Sequence, residues 1–219
     1  MSTNQSGFLP GGSTTTQLLE VFNCFCKAID SNKEVRVVFL DISKAFDKVW
    51  HKGLLYKLKK CGIGGSLLAW FKDYLNERQQ RVVINGQSSS FETLTAGVPQ
   101  GSVLGPLLFL LYINDMTHVV GNSNVRLFAD DTCLFIEVNN RVESASLINR
   151  DLISISDWAK RWLITFSPSK TKSLTISNKN DSHVNPTLFL DNHPIEDVSS
   201  HTYLGLTFSN NLCWNKHIG

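Results

Sequence analysis

The 219 residues, 42% hydrophobic and 10% aromatic, suffice for one large or two small domains with a real core, and exclude a disordered chain. The net charge of +2 conceals an asymmetry: residues 27–81 carry 12 basic and 6 acidic side chains, whereas residues 82–159 carry 3 and 8. The first stretch suits a polyanion partner and the second a metal site, unless both are ordinary solvated faces.

Residues 1–10 are polar and uncharged, unlike a secretory signal or transit peptide, and the longest apolar run, 107–113, is far too short to span a bilayer. Five cysteines without paired metal spacing suggest reduced core thiols and an intracellular protein, in the cytoplasm, the nucleus or both. Residues 1–12 read as irregular. Ser13 or Thr14 can cap a helix to about residue 29, with Leu18, Leu19, Phe22, Phe25, Cys26 and Ile29 on its apolar face. Residues 35–40 have the β-branched and aromatic signature of a strand, which ends at Asp41. Phe46 follows closely enough to wall a site at Asp41, although core packing is the commoner fate of phenylalanine.

Helices are predicted over 53–60 and 66–76, with Lys52, Lys57, Lys59 and Lys60 on the polar side. Strands over 78–84 and 90–94 flank Asn85-Gly86, a hairpin signal. Gly97 and Gly101 bracket a Pro-Gln step and permit close backbone approach. Gln100 offers donor and acceptors to a nucleotide or template edge, and the N-terminus of a helix over 103–120 would favour phosphate. The same loop can equally do no more than start that helix.

Two strands, 125–129 and 133–136, enclose Asp130 and Asp131 at a predicted turn. Paired carboxylates suit magnesium, and a third from Asp41, 89 positions earlier, would complete what two-metal phosphoryl transfer requires. The acids meet only if their strands are sheet neighbours. A solvated turn or a metal-dependent phosphohydrolase would use the same residue types. An amphipathic helix over 143–162 follows, then a loop over 166–172. There Lys170 either reaches a triphosphate or pyrophosphate or is a solvated surface lysine. A strand over 173–177, a polar link over 178–185, short strands over 188–190 and 203–208 and a helix start over 214–219 complete the chain.

Several stretches, in order, resemble the reverse transcriptase domain of non-LTR (LINE-like) retrotransposons of the jockey and CR1 type. Gly7-Phe8-Leu9-Pro10 with Ser13-Thr14 is similar to the fingers motif, and residues 39–47 to the first palm motif. Residues 97–106 through Asn114-Asp115 are similar to the second, and Phe128-Ala129-Asp130-Asp131 to the catalytic hairpin. Residues 166–170 resemble the lysine motif and Tyr203-Leu204-Gly205-Leu206 the primer grip.

The resemblance implies an α+β right-hand polymerase palm with part of the fingers, its mostly antiparallel sheet backed by helices. It implies partial fingers over 1–34, palm over 35–50 and 96–200, a fingers/palm insertion over 51–95, and the primer grip over 201–219. Asp41 and Asp130 would be the principal ligands of two magnesium ions, or manganese, with Asp131 in support and the Ile42 carbonyl beside them. Phe46 would exclude a ribose 2′-hydroxyl, Gln100 and Gly101 would contact nucleotide and template, and Lys170 the pyrophosphate. Tyr203, Leu204 and Gly205 would hold the primer. The partners implied are an RNA template, a DNA primer and deoxynucleoside triphosphates. The chain departs from the family's pattern at Leu9 and Gly12, where arginine is usual. It is expected to begin inside the fingers and to lack the thumb and an endonuclease domain. The alternative is a catalytically inactive nucleic-acid-binding remnant.

Overall fold

The computed structural model describes residues 1–179, 184–213 and 217. The helix start expected over 214–219 and the middle of the polar link therefore lie outside the described residues, His217 apart. In chain order the elements are α1 (Thr14–Asp30), β1 (Glu34–Leu40), α2 (His51–Lys60), α3 (Gly65–Leu75), β2 (Gln79–Gln80), β3 (Val83–Ile84), β4 (Gln87–Ser88) and β5 (Glu92–Thr93). Then come α4 (Leu104–Ile113), a 3-10 helix (Asn114–Val119), β6 (Asn124–Phe128), β7 (Asp131–Val138), α5 (Arg141–Arg161) and β8 (Lys172–Ile176). Five short strands follow: β9 (Phe189–Leu190), β10 (His193–Pro194), β11 (Glu196–Val198), β12 (Ser200–Tyr203) and β13 (Leu206–Ser209).

The chain forms two compact units. The first comprises Met1–Ser43, Asn114–Arg161 and Thr165–Gly219. Its sheet has the order β11-β8-β1-β7-β6, antiparallel throughout except between β11 and β8. All seven residues of β1 are buried, as befits the central strand. Alternation sends Val35, Val37 and Phe39 to one face, where they meet Val21, Phe25 and Ala28 of α1 and Phe208 of β13. Phe25 lies edge-on to both Phe135, at 5.4 Å, and Phe208, at 5.6 Å. The α1 stripe is thus Val21, Phe25 and Ala28, and Leu19, expected on it, is 64% exposed. Ser13 caps α1 by accepting the Thr16 N–H at 3.0 Å.

α5 packs on β7, and Ile148, Leu152, Ile155 and Trp158 form its buried apolar stripe. Within that apolar stripe Asp151 is almost wholly buried. Its carboxylate accepts the backbone N–H groups of Gly121 (3.0 Å), Asn122 (3.2 Å) and Ser123 (2.7 Å) and so fixes the loop entering β6. Removing it strands those donors. Asp151→Ala is expected to cost about 3 kcal/mol in urea unfolding, whereas exposed Asp157→Ala is expected to change little.

The second unit comprises Lys44–Ile113 and Trp162–Ile164. Leu54 and Leu58 of α2 and Phe71 and Leu75 of α3 are buried, as are Leu108 to Leu110, Tyr112 and Ile113 of α4. Lys57, expected on a polar face, is buried instead: its ammonium donates to the Tyr112 carbonyl and sits 3.8 Å from the centre of the Trp162 ring. The strand expected over 78–84 divides into β2 and β3 and that over 90–94 shortens to β5; β2 pairs with β5, and β3 pairs with β4, outside both expected strands, across Asn85 and Gly86, both with positive φ.

The helix expected over 103–120 divides at Asn114. There Asn114 and Asp115 turn their side chains to the Ser2 N–H and the Trp158 indole, and Thr117 bonds back to the Asn114 carbonyl. These bonds favour the tighter 3-10 winding over continuation of α4. The single strand expected over 203–208 is a hairpin, β12 to β13, because Leu204 (φ 49) and Gly205 (φ 85) form a left-handed two-residue turn.

Candidate active site

The acids come together through strand register. β1 pairs antiparallel with β7, Leu40 opposite Thr132 and Phe39 opposite Cys133. The ladder ends there, so Asp41 and Asp131 are the next residues of the two chains at one end of the sheet. Phe128 pairs with Asp131, so the hairpin turn is Ala129-Asp130 and Asp131 is the first residue of β7 rather than part of the turn.

Ala129 has φ 53, the left-handed value that a type II′ turn needs at its first loop position and that glycine normally supplies. Its neighbours hold it there. The Gln5 side-chain oxygen accepts the N–H groups of Ala129, at 3.0 Å, and Gly7, at 2.8 Å. Ser6 donates to the Leu127 carbonyl and Leu127 to that of Asn4, so residues 4–7 line the outer edge of β6. Residues 1–12 read as irregular from the sequence, and Gln5 carries no signal there. Gly7 alone hints at the close approach.

Burial, above all, and then the nearby Asp130 and Asp41 carboxylates push the Asp131 carboxyl up to about 6. Asp130 is raised mainly by burial too, with Asp41 adding and Lys170 opposing. A carboxyl raised in the folded state favours folding fully below its ordinary value near 3.8 and loses that contribution as pH climbs through about 6. With chelator present, Asp131→Asn is therefore expected to stabilise the chain by about 1–2 kcal/mol at pH 8, after allowing for solvent screening. At pH 3.5 it should bring no gain. Thermal melts at the two pH values test this, and an equal gain at both would refute the electrostatic cause.

A cleft of about 400 Å³ opens beside these acids, with Asp41, Asp131, Lys170, His201, Thr202 and Tyr203 among its walls. The Lys170 loop hangs on Asp41 itself, since Ser167 donates to the Asp41 carbonyl at 2.8 Å. That brings the mostly exposed Lys170 ammonium to 3.4 Å from Asp41 Oδ2. Tyr203 is buried, its ring 5.3 Å from Phe39 and its hydroxyl accepting from the Gln17 amide at 3.2 Å. Burial drives that phenol's pKa well up. Leu204 and Gly205 form the adjoining turn. His201, unmarked by any motif, stacks on Phe39 at 4.5 Å, and burial lowers its pKa. A lone histidine in a two-residue-period strand gives no warning of this.

The predicted residues Phe46, Gln100 and Gly101 belong to the second unit. The Phe46 ring stacks on Phe109 at 4.8 Å. Main-chain bonds from Val98 to the Phe46 carbonyl and from Gly97 to that of Val49 stitch the segment after Phe46 to the Pro-Gln loop. Gln100 donates to Asp47 at 3.3 Å, and Gly101 has φ 80. Ser102 accepts the Gly105 N–H at 2.9 Å, closing the first turn of α4.

The donor set of the first unit consists of hard carboxylate oxygens. Asp41 Oδ2 is buried without a hydrogen-bond partner, the Lys170 ammonium 3.4 Å away, and the neighbouring carboxylates raise the cost of ionising Asp130 and Asp131. Both features suit a divalent cation. Among the described residues, no three acidic, histidine or cysteine side chains close a metal cage. Magnesium is commonly held by one or two carboxylates completed by water and substrate phosphates, so the residues present fit an open site of that kind.

The family model described as reverse transcriptase (RNA-dependent DNA polymerase) matches residues 1–208. The chain is 34% identical over 219 residues to the probable RNA-directed DNA polymerase from transposon X-element of Drosophila melanogaster, covering 98% of this chain and 24% of that protein. It is 36% identical over 222 residues to the RNA-directed DNA polymerase from mobile element jockey of the same species, with the same 98% and 24% coverage. The chain thus spans about a quarter of the length of these relatives. The solved telomerase from Candida tropicalis in complex with a TWJ fragment of telomeric RNA superposes with a TM-score of 0.60 at 11% identity, over 96% of this chain and 33% of that one. At that identity the likeness speaks for the fold, and it agrees with the expected palm with part of the fingers. No helix among the described residues is long and apolar enough to cross a membrane.

Proposed function

The chain belongs to the reverse transcriptase (RNA-dependent DNA polymerase) family, and from that membership we propose that it is the polymerase core of a non-LTR retrotransposon protein. It extends a DNA primer along an RNA template, joining deoxynucleotides to the primer 3′-hydroxyl with release of pyrophosphate. The observation that carries this reading is the β1–β7 register, which ends with Leu40 opposite Thr132 and so brings the next residues, Asp41 and Asp131, to one end of the sheet.

Asp41, Asp130 and Asp131 would hold magnesium, with manganese as a substitute; when bound, the ions would activate the primer hydroxyl and stabilise the leaving pyrophosphate. Lys170, placed by its loop's bond to Asp41, supplies positive charge and a proton on the pyrophosphate side. The bridge between Ile42 and Phe166 uses the Asp41 carbonyl and the Ser43 N–H, which turns Ile42's own carbonyl toward the β7 side of β1. This supports its role as a further oxygen at the site. Phe46, braced by Phe109, is the wall that excludes a ribose 2′-hydroxyl, and Gln100 and Gly101 contact nucleotide and template.

Tyr203, Leu204 and Gly205 hold the primer end from the turn of β12 and β13. In this reading 35–50 and 96–200 are palm, 1–34 partial fingers, 51–95 the fingers/palm insertion, and 201–219 the primer grip. Cysteine usage supports an intracellular setting, in cytoplasm or nucleus.

A second reading, a remnant that binds nucleic acid without turnover, draws on Leu9 and Gly12, which offer no cation where the family usually has arginine. Extension of oligo(dT) on poly(rA) with dTTP and magnesium separates the two. Product from the parent and none from Asp130→Ala supports the polymerase. No product from a folded, magnesium-binding chain leaves the remnant.

A further inference from the structure

The first turn of α1 carries a polar residue where packing calls for an apolar one. Gln17 stands one helical turn before Val21, heads the stripe of Val21, Phe25 and Ala28, and is itself wholly buried. A buried amide is costly unless its ends are satisfied, and an unbranched apolar side chain would fill the space without that demand. Both ends of Gln17 are satisfied, by partners far apart in the chain. Its oxygen accepts the Ser6 hydroxyl at 2.9 Å, and its nitrogen donates to the Tyr203 hydroxyl at 3.2 Å. A satisfied amide of this kind adds little to stability over an apolar group of the same shape, but it fixes the separation and direction of the groups it joins.

Each partner leads to one part of the site. Ser6 follows Gln5, whose side-chain oxygen accepts the Ala129 N–H and so holds the turn that carries Asp130. Ser6 is fixed by its backbone bond to the Leu127 carbonyl at 3.0 Å. The Asn4 side chain accepts from Arg126, which pairs with Glu20 of α1 at 3.4 Å and ties this segment to the helix a second time. Tyr203 ends β12, leads directly into the Leu204-Gly205 turn and lines the cleft that Asp41 and Asp131 also line. Residues 5 and 6 are thus a common reference for the catalytic turn and the β12–β13 turn, and Gln17 carries that reference to the second.

We infer that Gln17 is a positioning residue for the primer: through Tyr203 it holds the Leu204-Gly205 turn in a fixed relation to the turn that carries Asp130. The inference rests on the reading of Tyr203, Leu204 and Gly205 as the part that holds the primer. Fluorescence anisotropy of labelled oligo(dT) annealed to poly(rA), titrated with the 219-residue chain in magnesium, reads primer seating without turnover.

Gln17→Met keeps the length of the side chain and removes both polar ends. It is expected to weaken duplex binding roughly tenfold, whereas binding of labelled, unannealed oligo(rA) should keep its parental value. Ser6→Ala should weaken duplex binding about threefold alone and add nothing in the Gln17→Met background, where the relay is already broken. The double variant Gln17→Met/Tyr203→Phe separates positioning from mere stability. With both partners apolar, urea unfolding should return close to the parental midpoint while duplex affinity stays low. Affinity that recovers with stability overturns the inference. So does parental duplex affinity in Gln17→Met, an additive loss from Ser6→Ala, or a parent that gains nothing from the annealed primer over oligo(rA). If Gln17→Met does not fold, Ser6→Ala and Tyr203→Phe decide: losses that overlap support the relay, and losses that add overturn it. Extension of the same duplex is a separate measurement. Binding without extension fails the polymerase reading alone, and extension with unchanged duplex affinity in the variants fails the relay alone.

Discussion

Asp41→Asn is expected to reduce primer extension on an RNA template by about 10³-fold or more while leaving the chain folded. The substitution keeps the shape of the side chain and removes one hard anionic donor. Asp41 follows β1 directly, and the backbone bond from Ser167 to its carbonyl does not depend on its side chain. The strand behind it is buried along its whole length, so the sheet should hold. The carboxylate's loss also removes a like charge beside Asp130 and Asp131. The melting temperature without metal should therefore stay level or rise, which is the signature of a site whose charges oppose the fold they serve. Calorimetry in chelator, run beside the extension assay, distinguishes this from simple unfolding. A variant that extends primers at parental rates would remove Asp41 from the chemistry.

Gly7→Ala should be the most damaging single-methyl change near the hairpin. A Cβ at this position would stand 2.5 Å from the Ala129 nitrogen and 2.9 Å from the Phe128 carbonyl carbon. Both are backbone atoms of the turn that carries Asp130, and neither can rotate aside. Either residues 4–7 lift off β6, losing the Ala129 N–H bond to Gln5 and the main-chain bonds with Leu127, or the turn moves with its carboxylate. We expect a loss of about 2–3 kcal/mol in urea unfolding, from overpacking and stranded polar groups together. Activity should fall further than that loss of folded protein explains, because a displacement near 1 Å at a reacting centre can cost about 10²-fold. Gly121→Ala, where a Cβ meets nothing within 4 Å, serves as the control and should be close to neutral. Parental stability and activity in Gly7→Ala would show that the clamp on the hairpin is dispensable.

Local pattern alone specified much of this protein. The run ending at Asp41 had to be a buried strand. Apolar flanks around Asp130 and Asp131 required a hairpin, and the helices α1 and α5 followed from their spacing. The ordered motifs also named the family. These are features of neighbouring residues, whose backbone preferences and periodicities act within one element.

Tertiary structure decided what depends on pairing across long separations. Whether Asp41 and Asp131 meet is a matter of which strands pair and in what register, and no local propensity encodes that. The same is true of Gln5 reaching Ala129, of Tyr203 meeting Gln17 and of His201 stacking on Phe39. Lys57 looks like a surface charge in sequence, and nothing local demands the burial of Asp151. They are buried because partners distant in the chain, the 121–123 amides for one and the Tyr112 carbonyl and Trp162 ring for the other, replace the water they give up.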